Sequence, residues 1–338
     1  MQAGTTCDVF VKENLEWLAA ATGWSKFLLA ASAGVLQKGH LSASQQVLAA
    51  YLPGSGSGPY AEGGGLYGLG LIRANQFDFE TKNYLLSQLT AAPNYSQNNF
   101  DPYQHGACLG LGLMAMGTND PALKNILFGQ SSIAGEAAAL AMGLVSLESN
   151  SEEVFLELYN HAQETPHDRI IRQSSLGAAL VLFKNELKAE PYIDMLVNNM
   201  EPMIRYGGMF AIGLAYCGTN NTNAVKRLLH FSVLDVCMDV RRAAVIALGF
   251  IVCDPVKAVN MLLPLAQDSV DFVRQAGSLA FRPTAVIGLT CDLLAPLDFK
   301  IRCDISPEKI AYTEPFDQSK KSDKKEATVA VRFYTQTT

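Results

Sequence analysis

Arginine is the charged residue that recurs at nearly regular intervals in this chain of 338 residues. A guanidinium group can form paired hydrogen bonds with a carboxylate, or it can donate to carbonyl groups at a helix end. The recurring residues could therefore form a structural column that bonds helix-end carbonyls or an acidic neighbour such as Asp239. They could instead grip an acidic segment of a partner, although we prefer the structural interpretation. These arginines, spaced 33 to 36 residues apart, are Arg172, Arg205, Arg241 and Arg274.

Other residue types that carry chemistry lack the spacing that their chemistry needs. No Cys-x-x-Cys or His-x-x-x-His spacing occurs, and no Gly-Lys-Ser/Thr follows the glycine clusters at 54–58 and 63–65. We therefore predict no catalytic residues, no cofactor and no metal site. Only a Cys–His pair that meets in the fold is left open, without any local signature to support it. The histidines are His40, His105, His161, His167 and His230. The cysteines, expected to be free buried thiols, are Cys7, Cys108, Cys217, Cys237, Cys253, Cys291 and Cys303.

The charge and hydropathy of the chain exclude two classes of partner. A net charge of −6 and a pI near 5.4 argue against a nucleic-acid surface, because such a surface needs clustered lysine and arginine. The lysines at 320–325 are offset by nearby acidic residues, so we interpret that run as a solvated linker. Since no run approaches the roughly 20 apolar residues of a membrane helix, we predict no membrane span. Residues 1–6 lack the features of a secretory signal, so we expect a cytoplasmic and nuclear protein.

The elements that position these residues come from a recurring cassette. Each copy has a helix-length run rich in glycine and alanine, a polar turn, and a second amphipathic run. Repeats of roughly 30 to 45 residues that contain two helices are typical of stacked solenoids. When the first runs are aligned on their last glycine, Leu180 fills the place in the one copy that lacks it. The aligned glycines are Gly70, Gly112, Gly143, Gly213 and Gly249.

Several first runs carry two glycines that are six residues apart, such as Gly64 and Gly70. These positions lie roughly 120° apart around a helix, so neighbouring helices can approach closely on two sides. Close packing must offset the cost of about 1 kcal/mol for each glycine inside a helix. We therefore predict an all-α fold, an α-solenoid in which each first helix lies between the preceding and following ones.

The second runs predict a further helix in each repeat, because their apolar residues recur at helical spacing. Ser151 is placed to cap one of these helices, while Pro121 and Pro191 are placed to begin two others. The predicted second helices lie at 44–52, 82–89, 121–128, 152–162, 191–200, 223–234 and 256–266.

Composition changes near residue 277, where the helical spacing gives way to β-branched runs. These runs predict short strands at 284–289, 299–303 and 328–334. We therefore predict a solenoid at 1–277, a short β-rich segment at 278–313, and a charged linker with a terminal strand at 314–338. At the other end, Gly4-Thr5-Thr6 matches the turns that follow the first helices, with a second helix expected at 8–20, so Met1 is expected to lie inside a repeat.

The cassettes resemble the proteasome/cyclosome repeats found in the large non-ATPase scaffold subunits of the proteasome regulatory particle. The resemblance covers nearly the whole chain, and several matching runs are uninterrupted. It is carried by residues 14–19, 24–27, 34–40, 51–53, 62–72, 215–218, 239–244 and 283–289.

This resemblance implies a non-catalytic scaffold whose helices form a toroid, and whose partners are the proteasomal ATPases, the lid and the deubiquitinase. Members of that family are longer, and repeats are expected to be missing between Gly277 and Ser278, so we expect an open arc rather than a ring. The family's receptor-docking tail has no counterpart before Thr338, which argues against recruitment of the ubiquitin receptor. The alternatives are the sister scaffold that binds ubiquitin and shuttle factors, the largest subunit of the anaphase-promoting complex, and an α-solenoid adaptor outside the proteasome.

Overall fold

The computed structural model of the chain describes residues 4–6, 9, 13, 20–42, 44–90, 100–128, 132–252, 255–265 and 267–280. Fifteen α-helices and no strand occur in this part of the chain. The predicted strands, the linker and the 314–338 segment lie outside the described residues. In chain order the helices are α1 (Gly23–Leu36), α2 (Ser44–Leu48, followed by a 3-10 turn at Ala49–Tyr51), α3 (Pro59–Ile72), α4 (Phe79–Thr90), α5 (Asp101–Met114), α6 (Pro121–Phe128), α7 (Ser132–Val145), α8 (Glu152–Glu164), α9 (Asp168–Val181), α10 (Glu186–Val197), α11 (Pro202–Ala215), α12 (Thr222–Leu234), α13 (Met238–Ile251), α14 (Pro255–Leu265) and α15 (Asp271–Ala280).

The odd-numbered helices are the first helices of the repeats, and the even-numbered helices are the second ones. Each first helix packs against the next first helix along the chain, from α1 through α15. Each second helix from α4 onward packs against the first helix that follows it. The predicted all-α solenoid of helix pairs is thus confirmed within the described residues.

A continuous apolar core joins the two layers. Its buried side chains run from Leu48 to Ala280 and come from helices of every repeat between them. Phe155 and Leu158 of α8 are completely enclosed, and Phe155 packs on Tyr192 of the next second helix with ring centroids 4.7 Å apart. Large side chains of the second helices therefore fill the space between the layers.

The predicted helix starts hold for two of three second helices. Pro121 begins α6, and the Ser151 hydroxyl caps α8 by accepting a hydrogen bond from the Val154 amide at 3.4 Å. The prediction for Pro191 was wrong, because α10 begins five residues earlier at Glu186, where the Asn185 side chain caps it. Pro191 leaves one helical carbonyl without a donor. That carbonyl belongs to Leu187, a residue that is almost fully exposed, so water can satisfy it.

The described residues test only some of the predictions about how far the helical array extends. Helix α15 continues to Ala280, so helical structure extends three residues past the predicted boundary at 277. The division into three segments, the missing repeats and the open arc stay predictions. No helix in the described ranges is long and apolar enough to cross a membrane.

Candidate protein-interaction surface

The first helices meet through a fixed register of small residues. The twelfth residue of one helix lies against the tenth residue of the next, as Gly143 of α7 lies against Gly177 of α9. A Cβ atom added to Gly143 would stand 2.4 Å from the Cα of Gly177, so the two backbones approach too closely for a side chain. The same register pairs Gly34 with Gly68, Gly70 with Gly110, Gly112 with Ala141, Gly213 with Ala247, and Gly249 with Ala280.

The glycines that are six residues apart contact helices on two sides. In α3, Gly64 faces the carbonyl of Phe27 in the preceding first helix, and Gly70 faces Gly110 in the following one. In α11, a Cβ added to Gly207 would lie 2.4 Å from the Ser175 side chain of α9, the preceding first helix. This is the arrangement that the spacing predicts.

The place assigned to Leu180 is one residue off. Because α9 begins at Asp168, its twelfth residue is Ala179, which is fully buried, whereas Leu180 is only half-buried. Leu180 instead packs at the C-terminal ends of the first helices, in a small apolar cluster with Phe183 and Leu147. Alanine is small enough for this contact, so the column continues through a residue that an alignment on glycine overlooks.

Backbone hydrogen bonds join each turn to the helix of the next repeat. After α5, the amides of Gly117 and Asn119 donate to the carbonyls of Leu144 and Val145, both at 2.9 Å. These two donors have φ angles of 70° and 54°, in the left-handed region that glycine and asparagine tolerate. The last carbonyls of a helix have no partner within it, so this turn satisfies two of them in the following first helix.

The turn at residues 4–6 has the same geometry, as its sequence predicts. Gly4 and Thr6 have φ angles of 70° and 58°, and their amides donate to Val35 and Leu36 at 2.9 and 3.1 Å. These acceptors are the last two residues of α1. Residues 4–6 therefore satisfy the last carbonyls of α1, just as the turn after α5 satisfies those of α7.

Three of the four predicted arginines bind the loops that lead into the first helices. Arg205, the fourth residue of α11, forms a bidentate pair with the Asp235 carboxylate at 2.9 and 3.1 Å. It also donates to the carbonyls of Asn199 and Met200 at 3.0 and 2.8 Å. The hydrogen bond with Asp235 raises the pKa of Arg205. One side chain thus ties the loop before α11 to the loop before α13.

The fourth residues of α13 and α15 both contact Asp268, in the loop before α15. Arg241 donates to the Ser232 carbonyl at 2.9 Å and pairs with Asp268 at 2.8 Å. Arg274 donates to the carbonyl of Asp268 at 2.9 Å and pairs with Asp271. Sequence reasoning missed a related residue, Lys26, the fourth residue of α1, whose ammonium donates to the Ser57 carbonyl at 2.9 Å. The arginine spacing could not reveal Lys26, because this residue is a lysine. Its position as the fourth residue of a first helix was the signal that could have found it.

Arg172 stands apart from the other arginines because it is the fifth residue of its helix. It reaches past α11 to Asp239 of α13 at 3.1 Å, and its guanidinium lies over the Tyr206 ring at 5.3 Å from the centroid. The side chains of Arg172 and Asp239 are 38% and 41% exposed, so this pair faces solvent far more than the Arg205 pair does. These contacts favour the structural interpretation, and a grip on a partner's acidic segment stays a prediction.

The first turns of non-adjacent first helices also come together. Trp24 of α1 packs edge-on against His105 of α5, with ring centroids 5.2 Å apart. It shares a cleft of about 480 Å³ with Glu136 of α7 and residues 166–170 at the start of α9. Because both signs of charge line this cleft, it selects no single class of ligand.

The predicted thiols and histidines do not assemble into a site within the described part. Cys108 is buried, and burial raises its pKa to about 12, whereas Cys217 and Cys237 are only half-buried. Among the described residues, no group of three or more His, Cys, Asp and Glu could hold a metal ion. Cys7, Cys253, Cys291 and Cys303 lie outside the described residues. The remaining histidines, His40, His161, His167 and His230, lie in separate repeats.

No family model matches the chain, but curated proteins do. The 26S proteasome non-ATPase regulatory subunit 1 homolog A of Arabidopsis thaliana is 43% identical over 300 residues, which cover 86% of this chain and 28% of that protein. The Drosophila melanogaster 26S proteasome non-ATPase regulatory subunit 1 is 40% identical over 299 residues, again 86% of this chain and 28% of the relative. The Saccharomyces cerevisiae regulatory subunit RPN2 is 41% identical over 322 residues, 83% of this chain and 34% of the relative.

The chain therefore spans about three tenths of the length of these relatives. The matched residues amount to most of the chain, which includes the stacked helix pairs described above. By sequence, the chain belongs to the family of 26S proteasome non-ATPase regulatory subunit 1 and RPN2, and it is partial relative to these members.

Proposed function

We propose that this chain acts as a scaffold in the proteasome regulatory particle, where its helix pairs hold other subunits in place for the degradation of ubiquitinated proteins. The observation that carries the proposal is identity of about 40% over more than four fifths of the chain to proteasome regulatory subunits. Stacked helix pairs suit such a role, because they present an extended surface built from many repeats.

The proposed role is non-catalytic. The relatives are named regulatory, and two of those compared are named non-ATPase subunits. The charged side chains that recur in the described repeats are engaged in bracing loops, as Arg205 and Arg241 are. A scaffold uses such side chains to fix its shape rather than to transfer protons or electrons.

The partners that we propose are the ATPases, the lid and the deubiquitinase, in the cytoplasm and the nucleus. Exposed apolar side chains on the loops before the first helices support contacts with other proteins. Met200 and Val236 each lie two residues before a first helix, and they are 94% and 97% exposed. Adjacent repeats thus present apolar residues at equivalent places, which is typical of interaction surfaces. We do not propose a contact with the ubiquitin receptor.

A pull-down with the tagged chain tests the proposal. We expect proteasomal ATPase and lid subunits to be recovered from cell extract and identified by mass spectrometry. Circular dichroism of the bait must first show the helical content of the folded chain. A double variant, Met200→Ser with Val236→Ser, keeps the core and should weaken recovery if these loops contribute.

The pattern of recovered proteins separates the alternatives. Shuttle factors together with the ATPase base would favour the sister scaffold. A folded bait that recovers no ATPase or lid subunit would remove the proteasome assignment, and a solenoid adaptor outside the proteasome would be left.

A further inference from the structure

A groove opens between two second helices near the C-terminal part of the described array. It lies between α12 and α14 and encloses about 390 Å³. Its apolar walls come from Val225 and Leu229 of α12, Met261 of α14, and Val252, the residue that follows α13. Lys226 and Asn260 stand exposed at its rim. The groove is thus apolar within and polar at its edge.

The preceding junction, between α10 and α12, is bridged by side chains. There the residue that follows the first helix is Tyr216, which occupies the same place after α11 as Val252 does after α13. The Tyr216 hydroxyl donates to Glu190 of α10, and Arg227 of α12 pairs with Glu190 at 3.1 Å and with Asp194. Burial, followed by the hydrogen bond to Glu190, raises the pKa of Tyr216 and so keeps its hydroxyl protonated as a donor.

The exchange of tyrosine for valine accounts for the groove. Valine lacks the ring that would extend between the second helices and the hydroxyl that would bond to α12, as the Tyr216 hydroxyl bonds to α10. The cavity of about 390 Å³ is large enough for the side chain of a leucine, isoleucine, methionine or phenylalanine with its backbone at the rim. An unfilled apolar cavity has lost packing contacts that a partner's side chain would restore.

The charge at the rim selects what can accompany that side chain. The described lining residues include one cation, Lys226, and no carboxylate. Lys226 forms no ion pair with any residue that the structure describes, whereas Arg227 beside it is engaged by two carboxylates. Its ammonium is therefore available to a carboxylate that approaches from outside.

We propose that the groove between α12 and α14 binds a short partner segment in which an apolar side chain enters the cavity and a neighbouring Asp or Glu pairs with Lys226. The apolar side chain supplies most of the affinity, because it exchanges water for the walls formed by Val225, Leu229 and Met261. The carboxylate supplies the selectivity for acidic over basic segments.

The test uses the purified full chain and a fluorescein-labelled octapeptide whose central leucine is flanked by aspartates. Fluorescence polarisation should show saturable binding that weakens about tenfold or more when the leucine is replaced by alanine. Lys226→Glu should weaken binding of the acidic peptide by about threefold to tenfold, and should strengthen binding of a version with lysines in place of the aspartates. The matched control is Lys188→Glu on α10, an exposed lysine outside the groove, which should change neither affinity.

A second pair of measurements places the peptide in the groove. Val252→Tyr should fill the cavity as Tyr216 fills the preceding junction, so binding should be lost while the helical content is kept. Methyl NMR of the unaltered chain should show the Met261 signal shifting with the same affinity as the polarisation change. Absence of saturable binding overturns the proposal. So does equal affinity for the leucine and alanine peptides, an unchanged affinity of Lys226→Glu, or an unmoved Met261 signal. Because no proteasome subunit takes part, these outcomes are independent of the proposed scaffold role.

Discussion

The first and second helices of this array pack against their neighbours through opposite kinds of residue, small in the first helices and large in the second. From α1 to α13 every first helix has 14 residues, and these helices touch through glycine and alanine. The second helices vary from 5 to 13 residues, and they are anchored by large buried side chains. Those anchors include Leu48, Leu85, Leu89, Leu123, Leu127, Phe155, Leu158, Ile193, Leu196 and Leu228.

The difference shows which layer determines the spacing between repeats. Backbones that touch through glycine cannot move apart without losing contact, so the first helices fix that spacing. A large side chain can tilt or be exchanged, so the second helices can differ in length while the repeat is preserved. We therefore expect the first layer to be sensitive to added atoms and the second layer to removed ones.

The largest expected effect is the removal of an anchor from the second layer. Phe155→Ala should lower the free energy of unfolding by about 3–5 kcal/mol, because a fully buried ring is lost and a cavity is left against Tyr192. Urea unfolding followed by circular dichroism measures it. Leu187→Ala, in the neighbouring second helix, removes a side chain that is 95% exposed and should change stability by less than about 0.5 kcal/mol. Equal effects for the two variants would show that the second layer has no anchors.

A single added methyl group tests the first layer. Gly143→Ala places a Cβ 2.4 Å from the backbone of Gly177 and should cost about 1–3 kcal/mol. Gly135→Ala makes the same substitution in the same helix, where the nearest atom, the Ile170 Cδ1, lies at an ordinary 3.7 Å. This control should be neutral or stabilising by up to about 1 kcal/mol, since alanine favours a helix. If both variants have the same midpoint of urea unfolding, the fixed register of the first helices is wrong.

The arginines should differ from one another according to their burial. Arg205→Ala leaves the Asp235 carboxylate, which is 4% exposed, without its main partner, and should cost about 1–2 kcal/mol. Arg172→Ala removes a pair in which both side chains are more than a third exposed, and should cost less than about 1 kcal/mol. Thermal unfolding of both variants ranks them, and the reverse order would contradict the positions assigned to these side chains.

The smallest expected effect is a dependence on pH in the second layer. The hydrogen bond from Lys82 lowers the pKa of Asp120, which lies just before α6, below that of the unfolded chain. This contribution is present above the unfolded-state pKa of about 4 and is lost as the pH falls through the lower folded-state pKa. Asp120→Asn should therefore flatten the acid side of a plot of stability against pH. An unchanged slope would show that the pair adds nothing measurable.

Much of this two-layer arrangement was predictable from the chain alone. Helical spacing placed the second helices, and glycines six residues apart, as at Gly64 and Gly70, predicted contacts on two sides. Both signals are local, because they depend on residues within one helix. The pairing of Arg172 with Asp239 was also predictable in kind, since a recurring guanidinium needs carboxylates nearby.

The rest depended on features that a glycine pattern does not carry. Ala179 is small enough to replace a glycine, so the alignment moved by one residue to Leu180 and brought Arg172 into a column to which its helical position does not belong. The groove beside Val252 depends on which side chain follows a first helix and on what lies across the junction. Such a gap is a property of two repeats together, and neither repeat shows it alone.

The hydrogen bonds between turns and helices all run in one direction along the chain, which affects how the array can fold during translation. In each bond the donating turn precedes the accepting helix in the chain, as Gly117 and Asn119 precede Leu144 and Val145. A ribosome therefore completes the two donors before it has made the carbonyls that they satisfy. Each new first helix is therefore made after the turn amides of the preceding repeat. These amides can bind its C-terminal carbonyls as soon as its last residues have been added. Folding during translation can thus proceed repeat by repeat, with each turn satisfied by the repeat that follows it.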